Sequence, residues 1–391
     1  MQTRTQGWID TNRDYFTRKT YMWLRIQSAN YPTGKLVNAD DIISFSHIKN
    51  GDFLSGSLTQ DKITFTVRNV DGYLDYDEEN QNDYYENASV VGEEAFLSAD
   101  LESYDGVPCG QYYVTEVKHD SDYKKYTFTA ATITAFMTDE CGYMTGDAYT
   151  VATDIIALAN ASKGVPCDDI TLICDQDLLE SMSITILESD RMSLAAALQL
   201  IASACDCIMY VDRTGRIHIE QVSDTPVEYV ISKHVSYQPV NVEYASRVGN
   251  VELFWDHGNG VTYTQNEGDK IGGTQIMTNP LIDSDNDEVS VLIPYVNAIY
   301  SRLTVGRKRF TAKVRFDPAL DLFDVIYIPN GKFVNTAVVT SINASYNGAW
   351  KADIKAVNVG IQSSHRYLRI CDIEELTIEQ FENIIIDDLA P

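Results

Sequence analysis

The stretch "FDPALDLFDVIYI" (Phe316–Ile328) sets Asp317, Asp321 and Asp324 just ahead of an apolar run. Two chemistries use such a pattern. Grouped carboxylates hold Mg²⁺ or Ca²⁺ through oxygen ligands. Alternatively, aspartates open turns and strands. Asp317 directly precedes Pro318, and Asp-Pro favours turn initiation. Asp324 stands immediately before "VIYI". The residues therefore read as a turn leading into a β-strand, and the chain around them as β.

Working outward, "DKITFTVRN" (Asp61–Asn69) alternates cleanly, with Ile63, Phe65 and Val67 on one face and Thr64 and Thr66 on the other. That is the period of a half-buried strand. "DIISFSHI" (Asp41–Ile48) alternates more loosely, and "KNGDFLSGS" between the two is turn-rich. "DGYLDYDEENQNDYYENAS" (Asp71–Ser89) is acidic, lacks periodicity and reads as a loop. "GQYYVTEVKHDSDYKKYTFTAATI" (Gly110–Ile133) is a hairpin turning at His119–Asp122. From about Val227 short strands return, with one helix at "YVNAIYSRLTVG" (Tyr295–Gly306).

Between these β regions the pattern changes. "YTVATDIIALANAS" (Tyr149–Ser162) places Ile155, Ile156 and Leu158 at helical spacing. In "SDRMSLAAALQLIASACDCIMYVDRTGRIHIE" (Ser189–Glu220), Leu194, Ala197, Leu198 and Ile201 form one helical stripe. Ser189, Asp190 or Ser193 is available as its cap. Two strands follow, joined at Arg213-Thr214-Gly215, where glycine suits a turn with positive φ.

The two β regions carry a weak repeat. Val114-Thr115 matches Val339-Thr340; after a one-residue insertion, Phe128 matches Ile354 and Ala130 matches Ala356. A duplicated β domain would bracket the α/β insert. The tail "ELTIEQFENIIIDDLAP" (Glu375–Pro391) shows a capping-box pattern at Thr377 and Gln380, then a stripe of Ile378, Phe381, Ile384 and Ile385. It reads as a helix that docks.

Composition excludes some functions. With 44% hydrophobic residues the chain is too apolar for disorder. Its net charge of −27 argues against a broad grip on nucleic acid, which needs clustered Lys and Arg. No secretory leader is visible at the N-terminus, and the apolar run Leu194–Cys205 is too short to span a bilayer. The expectation is a soluble protein made in a cytoplasm. Its seven cysteines are then reduced structural thiols, and Cys205-x-Cys207 has no second pair at zinc-like spacing.

Candidate sites are sparse. "DSDNDEVS" (Asp283–Ser290) begins like a calcium loop with Asp283, Asp285 and Asp287, but Glu288 takes the glycine position and Pro294 the terminal glutamate's. A solvated loop is expected. The histidines (His47, His119, His218, His234, His257, His365) form no H-x-x-x-H pattern. "HGNG" (His257–Gly260) reads as a loop, and Cys205 or Cys207 beside His218 as core packing rather than a catalytic pair. No paired carboxylates are singled out. No catalytic, cofactor or metal residue is assigned, and no cofactor is expected.

"ADDIISFSHIKNGDFLSGSLTQDKITFTVRNVDG", with the Gly110–Ile133 hairpin, resembles the first domain of tailed-bacteriophage tail hub, or baseplate hub, proteins. The Ser193–Glu220 helix and hairpin resemble their insert, and "DPALDLFDVIYI…AVVTSINASYNGAWKADIKA" their second barrel. There the turn runs Pro-x-x-x-x-Gly-Asp; this chain keeps Pro318 and Asp324 but has Phe323 for the glycine.

The resemblance implies a mainly β protein with two similar β-barrel domains bracketing a small α/β domain, plus a C-terminal helix. Residues 1–145 would be the first barrel with an N-terminal arm, 146–225 the α/β insert, and 226–360 the second barrel with an inserted loop and helix at 258–306. Residues 361–391 would be an extension with a docking helix. It further implies a structural virion protein at the tail tip. A homotrimer would form a pseudo-sixfold ring, joining a sixfold tail tube or distal tail protein above to a threefold tip, spike or fibre protein below. Genome DNA would pass its lumen without specific binding. Other readings are a different baseplate or adaptor part, the hub of a contractile injection device, or a tail-associated cell-wall or glycan hydrolase. Residues 361–391 are too few for the lytic domain that some hub proteins carry there.

Overall fold

The computed structural model describes residues 20–363 apart from 29–30, 38, 53–56, 70–88, 98–103, 123, 164–167, 224–225, 228, 233–234, 266–271 and 331–332. The acidic stretch read as a loop from Asp71 lies outside the described residues up to position 88, and Ser89 already opens a strand. The helical pattern at Glu375–Pro391 also lies outside them.

Along the chain come β1 (Thr20–Ser28), β2 (Tyr31–Val37), β3 (Ile42–Asp52), β4 (Ser57–Arg68), β5 (Ser89–Leu97), β6 (Tyr104–His119) and β7 (Lys125–Ala131). A mixed segment follows: β8 (Met144–Asp147), α1 (Ala148–Ser162), β9 (Leu172–Cys174), α2 (Gln176–Glu180), β10 (Ser183–Ile186), α3 (Leu194–Ala204), β11 (Ile208–Val211) and β12 (Ile217–Glu220). Then come β13 (Asn241–Tyr244), β14 (Val248–Trp255), β15 (Gly260–Gln265), β16 (Gly273–Thr278) and α4 (Ile293–Val305). The last described strands are β17 (Lys308–Arg315), β18 (Val325–Asn330), β19 (Phe333–Tyr346) and β20 (Trp350–Ser363).

The two β regions do not fold apart. They form one twelve-stranded sheet ordered β13-β17-β20-β19-β3-β4-β7-β6-β5-β1-β2, with β18 added on β19. The join is antiparallel pairing of β3 with β19, from Phe45 opposite Tyr346 to Asn50 opposite Ser341. One apolar core runs beneath both regions, from Met22, Phe65 and Phe128 to Phe310, Ile342 and Trp350. The alternation read in β4 is confirmed, with Ile63, Phe65 and Val67 fully buried. Within the turn-rich stretch "KNGDFLSGS" the strand β3 runs on through Lys49 to Asp52, and Lys49 is buried; residues 53–56 lie outside the described residues.

The hairpin repeat matches in register. Val114 faces Ala130 and Val339 faces Ala356. Each pairing then skips one residue, Thr115 in β6 and Thr340 in β19, and resumes with Glu116 opposite Thr129 and Ser341 opposite Lys355. This is a β-bulge, one extra residue on one strand. The hydroxyl of each bulged threonine donates across the ladder, Thr115 to the Thr129 carbonyl at 3.1 Å and Thr340 to the Lys355 carbonyl at 3.3 Å. Strand order repeats too: β13-β17-β20-β19 is followed along the sheet by β3-β4-β7-β6.

A second core joins α1, α3 and the β11–β12 hairpin. Ile155 and Ile156 of α1 face this core, whereas Leu158 is exposed. Of the three candidate caps it is Ser193 that starts α3, its hydroxyl accepting the Ala196 N–H at 3.3 Å. β14 and α4 add Val251, Leu253, Val296 and Ile299 to the same core. Arg302 of α4 ion-pairs with Asp206 just after α3. Among the described residues no helix is long and apolar enough to cross a membrane.

Replacing Ser193 by Ala removes the α3 cap and should cost about 0.5–2 kcal/mol. A urea titration should show this as a lower midpoint with unchanged slope.

Candidate functional site: a buried ionic junction

On the inward face of β3, Phe45, His47 and Lys49 follow one another at the two-residue period. Phe45 packs in the core, but the next two positions carry polar groups, and both are buried. A buried charge must be paired and hydrogen-bonded. Lys49 Nζ donates to Asp321 Oδ1 at 2.7 Å and lies 3.5 Å from Asp61 Oδ2. His47 Nε2 lies 2.8 Å from Asp61 Oδ1 and 2.7 Å from the Tyr112 hydroxyl.

Arg213, in the β11–β12 turn, enters from the α/β side. Its Nε donates to Asp321 Oδ2 at 2.9 Å. Its other nitrogens donate to the carbonyls of Pro108 at 2.7 Å, Pro318 at 2.7 Å and Leu320 at 3.1 Å. One guanidinium thus ties the turn to β6 and to the 317–324 loop. The planar fork of arginine suits this work. Gly215 has φ +86°, as the turn requires. Asp212 holds the turn by accepting the Thr214 and Arg216 N–H groups at 2.8 and 3.0 Å.

The three aspartates of the opening stretch therefore do different things. Asp317 accepts the Ala319 N–H at 3.0 Å, and Asp324 the Asp321 N–H at 2.7 Å. Both are turn residues, as the sequence suggests. Asp321 is instead the anion shared by Lys49 and Arg213. Burial acts to raise its pKa, but the two cations hold it far below the ordinary carboxylate range. Asp61 is also lowered, burial being outweighed by Lys49 and His47. Lys49 is raised, its burial outweighed by Asp321 and Asp61.

Phe323, where the sequence resemblance leads one to expect glycine, sits at φ +63°. A bulky residue in this left-handed region is strained. Its ring is accommodated because position 51 of β3 is glycine: a Cβ there would lie 2.4 Å from Phe323 Cζ. The ring also packs against Tyr210 at 6.1 Å. Phe323 thus fills space at the meeting of β3, β11 and the loop.

Beside the junction lies a cleft of about 710 Å³, lined by Tyr210, Asp212, Arg213, Glu220, Asp321 and Phe323 among others. Several of its polar groups are engaged with one another. Tyr210 donates to Glu220 and stacks on His218 with ring centroids 4.9 Å apart. His218 Nε2 lies 3.1 Å from Asp212 Oδ2.

The remaining candidates are placed separately. The Cys207 thiol is directed at the Cys205 carbonyl, and burial pushes the Cys205 thiol up to about 12. Asp283 accepts from Thr185 and Asp287 from Ser290, while the Asp285 N–H donates to Asp283 at 3.2 Å. His257 stands 3.5 Å from Asp190. Among the described residues no three His, Cys, Asp or Glu side chains are grouped to hold a metal ion. The ionic junction itself was missed from sequence. Its one local signal was a lysine at an inward position of an alternating strand.

Comparison with solved structures shows the class of fold: that of phage and prophage tail proteins. A tail protein from Neisseria meningitidis aligns with a TM-score of 0.59 at 10% identity, covering 88% of this chain and 98% of that one. The 43 kDa tail protein of prophage MuSo2 from Shewanella oneidensis aligns at 0.56 and 11% identity, covering 88% and 100%. The prophage tail protein gp18 from Listeria monocytogenes aligns at 0.50 and 10% identity, covering 93% and 100%. No family model matches the sequence, and no curated protein matches it.

Asp321→Ala would leave Arg213 buried without an anion and Lys49 with only Asp61, at 3.5 Å. Removing one partner of a buried pair is strongly destabilising. The Asp321 side chain retains 27% exposure, which softens the loss. The expected cost is about 3 kcal/mol, well above that of Asp317→Ala in the same chemical denaturation.

The pH response follows from the same groups. Burial lowers the His47 pKa, Asp61 opposing it. Below about pH 6.5 the unfolded chain then takes up a proton that the native chain resists, and stability falls. His218 is raised against its burial by Glu220 and Asp212, so its contribution is full below that pH and lost above it. The two oppose each other. Thermal melts from pH 8 to 5 should therefore show stability rising toward low pH for His47→Gln and falling for His218→Gln, with the wild type between them. Both variants should lose stability below about pH 4, where the lowered carboxylates protonate first in the unfolded chain.

Proposed function

We propose that this chain is the hub of a phage-type tail: a structural virion protein whose three copies build a pseudo-sixfold ring at the tail tip. The observation that carries the reading is the doubled strand order with its matched bulges, set in a fold shared with tail proteins. Each chain supplies two similar β units, which we read as the two barrels, so three chains present six. A chain with two such units converts a sixfold contact with a tube into a threefold contact with a tip, since closed rings repeat one contact around an axis. The partners are then a second and third copy, a tube or distal tail protein on one side and a tip, spike or fibre protein on the other.

The ionic junction fits a structural part that must hold its shape. It pins the α/β unit, through Arg213, to the place where the two β units join, through Lys49. DNA passes the lumen during ejection, and part of the −27 charge lines it so that phosphates are repelled. An assembled ring with a strongly basic lumen would contradict this. The role is architectural rather than catalytic, and cell-wall suspensions incubated with the protein should not clear.

Native mass spectrometry at micromolar concentration is the direct test. The expected species has three times the 43.8 kDa chain mass. A chain that remains single overturns self-assembly of the ring.

A further inference from the structure

Among the described residues, the sheet contains one join between its two β units and no strand pairs with the matching edges elsewhere. On the outer edge of β19, residues Phe333–Val338 are covered by β18 and residues Ser341–Tyr346 by β3. On the outer edge of β6, residues Tyr104–Tyr113 are covered by β5. Among the described residues no strand covers the next stretch, Glu116–Lys118. At the far end of the sheet, β13 pairs with β17 along one edge and with no described strand along the other.

β13 is the counterpart of β3. Ile63 of β4 faces both Ala130 and His47; Phe310 of β17 faces both Ala356 and Val242. Since Ala130 and Ala356 are equivalent in the two hairpins, Val242 stands where His47 does and Tyr244 where Lys49 does. Carrying the β3–β19 register across then sets Val117 opposite Tyr244, Lys118 opposite Glu243 and His119 opposite Val242.

We infer that the outer edge of β6 at Glu116–His119 pairs antiparallel with β13 of a second copy of this chain, Lys118 standing opposite Glu243. Rim and core positions both suit the contact. Lys118 and Glu243 are exposed and of opposite sign; directly opposed charges of opposite sign favour a strand pair, and like charges oppose it. Their present partners are local, Glu116 at 2.7 Å from Lys118 and Asn241 at 2.8 Å from Glu243. On the inward face, Val117 and Val242 are only partly buried against the main core, and Tyr244 is 68% exposed. Their counterparts in the internal join, Ile342, His47 and Lys49, are all at most 5% exposed. A second copy would cover the open positions as the internal join covers its own. The contact is heterologous, so it closes into a ring when the rotation allows.

The inference rests on the trimeric reading, and one experiment separates the two. The full chain is oxidised as wild type, as Lys118→Cys/Glu243→Cys and as the out-of-register pair Lys118→Cys/Tyr244→Cys, then run on non-reducing gels beside native mass spectra. Expected are three-chain species for wild type and reducible dimers and trimers for the in-register pair, at least tenfold above the control pair. A three-chain wild type whose in-register pair does not cross-link overturns this contact and leaves the trimer standing. A single-chain wild type overturns both. Cross-linking within one chain, or only after removal of residues 364–391, overturns the contact by showing another occupant of the edge. As a second measure, Lys118→Glu should weaken assembly by about two- to fivefold per contact, and adding Glu243→Lys should restore it.

Discussion

The joint between β3, the 317–324 loop and the α/β unit depends on the carboxylate of Asp321. Two cations reach it from opposite directions, Lys49 from β3 and Arg213 from the α/β unit. Such a site is expensive to form, because each ion must leave water, and an apolar replacement of all members could be just as stable. What the ions supply is position. A leucine in place of Lys49 would accept many neighbours, whereas an ammonium at this depth accepts only a carboxylate held in place. The loop carrying Asp321 is itself fixed by Asp317, Asp324 and the Arg213 bonds to Pro318 and Leu320. Three segments far apart in the chain are therefore set in one geometry.

Around that point the molecule combines a repeated unit with an unrepeated one. The β6–β7 and β19–β20 hairpins share register, bulge and threonine bond, yet their surroundings have diverged. The β19 edge is closed by β3, while among the described residues no strand covers the corresponding β6 edge. The inward positions at the internal join carry His47 and Lys49, where β13 carries Val242 and Tyr244. Equivalent backbone thus presents ionic chemistry inside the chain and apolar chemistry at its rim.

What the sequence made legible was local. The alternation of β4, the stripe and cap of α3, the glycine turn at Gly215 and the Val-Thr repeat all depend on neighbours within a few residues. Each is found in the structure. The pairing of β3 with β19 was invisible because no local pattern specifies a partner hundreds of residues away. For the same reason nothing in "YVNAIYSRL" shows that α4 packs into the core shared with α1 and α3. Phe323 is the instructive case. Phenylalanine where the resemblance leads one to expect glycine argued for a departure at this turn, yet the backbone adopts the left-handed geometry that glycine favours. The compensation is Gly51, remote in sequence and adjacent in space.

The distant pairing also shapes how the chain is made. Phe45 meets Tyr346, roughly three hundred residues later. At synthesis rates of about 5–20 residues per second, the partner arrives some 15–60 s after β3 leaves the ribosome. Throughout that interval β3 is an edge strand, the kind of surface on which nascent chains aggregate. The inward lysine and histidine that later anchor the junction are, until then, poor material for adventitious strand pairing. The same side chains act first as guards of an unfinished edge and then as its lock.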